Sequence, residues 1–68
     1  MASFTAGDEA LGSIILIEEL FHRLARSGVV PEAALADVVR STVARLDTTD
    51  NFGAGAAVRH YFEYWLTE

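Results

Sequence analysis

Residues 14–17 read Ile-Ile-Leu-Ile, and no other stretch constrains the fold of this chain as strongly. Successive residues of an α-helix point about 100° apart, so four apolar residues in a row leave no side of that helix polar. Such a helix requires cover all round. The chain has only 68 residues, too few to surround it, so the run points first to self-association or a partner.

A domain of this size buries only about 60% of the surface its unfolded chain exposes, and is marginal unless disulfides, a metal or oligomerisation reinforce it. There is no cysteine, which removes disulfides, thiolate metal sites and thiol nucleophiles at one stroke. Oligomerisation is left. An apolar content of 51% beside 22% charged residues leans the same way, slightly above and slightly below the ordinary globular ranges.

Ten carboxylates stand against five arginines, with no lysine, for a net charge of −5. That balance disfavours phosphate backbones and anionic lipid, so neither nucleic acid nor membrane is expected as a partner. The first seven residues lack the basic start of a secretory signal, and Glu18 and Glu19 interrupt the apolar run well short of a membrane span. A soluble, cytoplasmic protein is expected. Abundant alanine and arginine without lysine or glutamine suggests a bacterial gene.

The pattern predicts an all-α fold. Residues 1–7 show no periodicity and are expected to be a flexible tail; residues 8–68 are expected to form a single helical domain, with Asp8 capping the first helix. That helix is predicted over about 9–27. Its competitor is a strand, since the run is rich in β-branched residues. Ala10, Ile14, Ile17, Phe21, Leu24 and Ala25 recur at helical spacing, however, with Leu16 and Leu20 widening the stripe, and Glu19 precedes Arg23 by four residues in the favourable order.

Gly28 suits the left-handed position past a helix end, and Pro31 suits the first turn of the next helix. A second helix is predicted over about 31–46, with Leu35, Val38, Val39, Thr42, Val43 and Leu46 on one face. Residues 47–51 read as a loop ending in a cap at Asp50 or Asn51. A third helix is predicted over about 52–66, with Tyr61 and Trp65 central to an apolar stripe and Phe62, Tyr64 and Leu66 at its edges. Its apolar arc exceeds half the circumference, too wide for packing on one neighbour. Completion of the three helices into a larger bundle by homodimerisation follows, and Leu11, Ile15, Phe62, Tyr64 and Leu66 are the expected interface residues.

Chemistry is sparse. Glu19 and His22 have the E-x-x-H spacing of ferritin-like di-iron bundles, but they lie on the arginine-bearing side, so a charge-paired surface is the better reading and no metal is expected. Two histidines, three serines beyond the first turn and Asp37 form no nucleophile-base-orienter pattern, and neither enzymatic activity nor a cofactor is expected. Gly53 and Gly55 lack the strand and further glycines of a phosphate loop; close helix packing explains them better. The first two helices have the outline of a helix-turn-helix, yet Asp37 and Asp47 flank Arg40 and Arg45. The expected function is a small, non-enzymatic interaction or regulatory module that self-associates. The alternative is an acidic inhibitor that mimics nucleic acid in a basic groove; it is less favoured because the carboxylates are scattered along the chain.

Overall fold

In a computed structural model, which describes residues 3–67, Thr5 and Asp8 start the first helix together. The Thr5 hydroxyl accepts from the Asp8 amide at 3.1 Å, and the Asp8 carboxylate accepts from the Thr5 amide at 3.0 Å. This reciprocal capping box satisfies two backbone donors that the helix cannot satisfy itself. The helix α1 therefore spans Ala6–Ser27. Asp8 is its third residue instead of its cap, and Ala6 and Gly7 of the expected tail are helical, while residues 1 and 2 of it lie outside the described residues.

Gly28 ends α1 at φ 77° with its amide bonded to the Ala25 carbonyl at 3.1 Å, the left-handed exit its lack of a Cβ permits. Pro31 then sits one position before the helix instead of inside it, and α2 runs Glu32–Thr48. It outlasts the expected end because Asp47 and Thr48 remain helical, with the Thr48 and Thr49 hydroxyls donating to the Arg45 carbonyl. The connection shrinks to residues 49–51, where Asp50 adopts φ 63°.

Asn51 precedes α3, Phe52–Tyr61. The helix expected to continue to residue 66 instead breaks at Phe62, and α4, Glu63–Leu66, follows as a single turn. The break swings Phe62 and Trp65 inward together. Both meet Phe21 of α1 edge to face, at ring-centroid distances of 5.5 and 5.7 Å, a favoured arrangement of aromatic quadrupoles.

The four helices, with no strand among the described residues, enclose a small core of Leu35, Val39, Phe62 and Trp65, onto which Ile14, Phe21, Leu24, Val58 and Leu66 pack from its edges. Gly55 is buried where α3 crosses the end of α2: a Cβ there would lie 2.7 Å from Asp47 Oδ1. Asp47 in turn forms an ion pair with Arg59, binding α2 to α3. The Tyr64 hydroxyl donates to Glu32 at 3.1 Å and binds α4 to α2. The result is a slab, 38 × 32 Å across and 15 Å thick.

Candidate docking surface

The longest helix, 22 residues, contributes no fully buried side chain. Phe21, Ile14 and Leu24 reach the core partway, while Leu16 is 71% exposed, Leu20 52% and Ile17 46%. Leu16, Ile17 and Leu20, which helical spacing puts on the apolar stripe of the first helix, are thus left half-exposed or more by the chain's own core. The slab places α2, α3 and α4 against one edge of α1, and among the described residues the neighbouring flank is left half-exposed or more.

Beside that flank lies a groove of about 300 Å³. Ile14, Ile17 and Phe21 of α1 form one wall, Val38, Val39 and Thr42 of α2 another, and Val58 and Phe62 close the floor. None of these side chains ionises. The one polar group, the Thr42 hydroxyl, is spent on its own helix, donating to the Val38 carbonyl at 2.8 Å. A groove so lined offers no acid, base, nucleophile or metal ligand, and nothing to orient a small polar molecule. What it offers is apolar area.

The residues expected at an interface are dispersed by the fold. Leu11 and Ile15 are half-exposed on the opposite flank of α1, next to Glu18 and His22. Tyr64 is exposed and engaged with Glu32. Phe62 requires correction: it is 6% exposed and belongs to the core, because the break after α3 turns it beneath Phe21. Leu66 likewise packs against the core. Conversely Tyr61, expected inside, is 38% exposed and lies edge-on to His60. Sequence reading missed Val38 as a surface residue; it belongs to a regular apolar face, and only the position of α1 leaves it uncovered.

Several charged groups pair within a helical turn. His22 contacts Glu18, not Glu19; Glu19 holds Arg23 at 2.9 Å and Asp37 holds Arg40 at 2.9 Å. Among the described residues no three His, Asp or Glu side chains converge as metal ligands would. A second, more polar hollow on the other flank of α2 is lined by Glu32, Arg40, Tyr64 and Thr67, but Glu32 and Arg40 already have partners. Trp65 Nε1 is buried without an acceptor among the described residues, a local cost of about 1–3 kcal/mol. Glu32 holds the Tyr64 hydroxyl above the usual value of 10.0, through the hydrogen bond first and its negative charge second.

Among the described residues no helix is long and apolar enough to cross a membrane. No protein-family model matches the chain, and comparisons with curated proteins and with solved structures find no similar protein.

Proposed function

We propose that the chain is a small, non-enzymatic helical interaction module that works as a homodimer, with the open face of α1, α2 and α3 as its docking surface. The observation that supports this reading is the groove of about 300 Å³ whose walls carry no ionisable side chain and no unspent polar group. Apolar surface of that kind is costly in water, at roughly 25 cal/mol per Å², and it marks docking sites when contiguous. Regulation by assembly suits so small a chain better than catalysis, since no group in the groove can transfer a proton or hold a reacting atom. Composition supports a bacterial, cytoplasmic setting.

The acidic-mimic reading is weaker. Glu18, Glu19, Asp37 and Asp47 are each engaged with a histidine or arginine of the same chain, which blunts the field a basic groove would read. A helix-turn-helix reading is weaker for the same reason at Arg40, and a ferritin-like site would need Glu19 and His22 turned inward. Sedimentation equilibrium across the micromolar range tests the proposal. A reversible monomer-dimer equilibrium is expected; a folded monomer at every concentration overturns it.

A further inference from the structure

We propose that the two copies pair about a two-fold axis with α1 of each against the groove of the other, so that the ridge of Leu16 and Leu20 fills the channel between α1 and α2 of its partner. This rests on the homodimer reading and specifies its face.

Three observations favour a second copy as the occupant. The first is area. A compact monomer of 7.4 kDa exposes about 4,200 Å² on the usual size scaling, whereas this chain exposes 5077 Å². The excess is close to the roughly 800 Å² that each partner buries in a standard interface. Phe4, ahead of α1 and 70% exposed, contributes to the total, as do Leu16, Leu20 and Ile17 on the open flank of α1.

The second is continuity of shape. On a helical wheel Leu20 adjoins Ile17, and Leu16 lies one turn before Leu20 on the same flank. Ile17 is also a wall of the groove. Leu20 therefore borders the rim of the channel while Leu16 stands about 100° from Ile17 on the outer side of the same ridge, and a surface carrying both a protrusion and its receptor pairs with itself about a two-fold axis, closing at two copies instead of propagating a filament. Leu11 and Ile15 lack this complement: their flank runs into Glu18 and His22, which already contact each other.

The third is charge. Each copy carries −5, so two copies approach with least repulsion where carboxylates are absent, and the groove walls are uncharged. The nearest charges beyond Leu16, Glu19 and Arg23, neutralise each other across 2.9 Å. A strongly basic partner would gain nothing from such walls. Two slabs, each 15 Å thick, stacked at the 8–10 Å spacing of packed helices would form the two-layer bundle that one chain lacks.

The test uses the full chain and two readouts. Sedimentation establishes assembly, and isotope-filtered methyl NOEs in a mixture of labelled and unlabelled protein locate the contact. Intermolecular NOEs from Leu16 and Leu20 to Ile17 and Val38 are expected. Val38→Glu should raise the dissociation constant by roughly 30-fold or more, as at an interface hot spot, while Ile15→Glu leaves it nearly unchanged. A dimer whose NOEs arise from Leu11 and Ile15 overturns this pairing and leaves the homodimer standing. A folded monomer, or a monomer whose groove takes up only another protein's helix or a small apolar molecule, overturns both. Since the NOEs need no substitution, the result stands even if Val38→Glu fails to fold.

Discussion

The two ends of this chain spend similar apolar residues very differently. From Leu35 onward, short helices and a break at Phe62 fold a modest stock of apolar side chains into a closed core in which Val39 is 2% exposed and Trp65 3%. In α1 a richer stock on a longer helix stays half in water. Apolar content makes a helix need cover; it does not supply the cover. The second half closes because α2 is met from both ends, by α3 through Gly55 and by α4 through Trp65, whereas α1 is met along one edge.

Truncations in the two regions should expose that contrast most directly. Trp65→Ala should cost about 3–5 kcal/mol and Leu35→Ala about 2–5 kcal/mol, enough to leave a 68-residue domain largely unfolded by circular dichroism. Leu16→Ala, in protein diluted to the monomer, should cost under about 0.5 kcal/mol and become costly only as concentration rises. If Leu16→Ala in dilute monomer is as damaging as Leu35→Ala, the flank is covered within the chain and the contrast is broken.

Gly55→Ala probes why α3 can approach α2. The new Cβ would sit 2.7 Å from Asp47 Oδ1, and Asp47 is held by Arg59, so denaturant unfolding should show a loss of about 1 kcal/mol, at the low end of overpacking costs. In an Asp47→Ala background the obstacle is gone and the same change should stabilise by about 1 kcal/mol, the helix preference of alanine over glycine. A sign that does not reverse would place the close approach elsewhere.

Thr5→Ala removes half of the capping box, worth about 1 kcal/mol. Since α1 is loosely held, the effect should be local: faster hydrogen exchange in its first turn with little change in the melting temperature. An equal fall across all helices would mean that α1 unfolds with the core and is held as firmly as α2.

The smallest effect is expected at Tyr64. Its ionisation is raised above 10.0 by Glu32, so the folded state holds the proton more tightly than the unfolded chain. The tie between α4 and α2 is therefore intact below pH 10 and weakens as pH rises through the raised value. Tyrosinate absorbance should show one of the two tyrosines titrating late, and Tyr64→Phe should abolish that component with only a slight loss of stability. A Tyr64 that titrates normally would mean that Glu32 does not tie α4 to α2.

Much of this was legible beforehand, for identifiable reasons. Gly28 announced its left-handed turn because only the backbone is involved, and the face of α2 could be read from spacing alone. The capping box was also present in the spacing of Thr5 and Asp8, hidden by Gly7, a weak helix former that made the segment look like tail. The break at Phe62 left no comparable trace: no glycine or proline marks it, and the chain bends there because Phe62, Trp65 and Phe21 pack edge to face. For the same reason Phe62 is turned into the core, while Tyr61 is left 38% exposed.

Local patterning determines that this chain is helical, where its first turn falls and that its apolar surface exceeds what one small domain can use, because helix periodicity, caps and composition act over a few residues. Which apolar residues are left over is a different question. Leu16, Ile17, Leu20 and Val38 look like core in the sequence and lie at the surface only because α1 rests on one edge of a thin slab, and that placement follows from contacts between residues far apart in the chain, which no local pattern encodes.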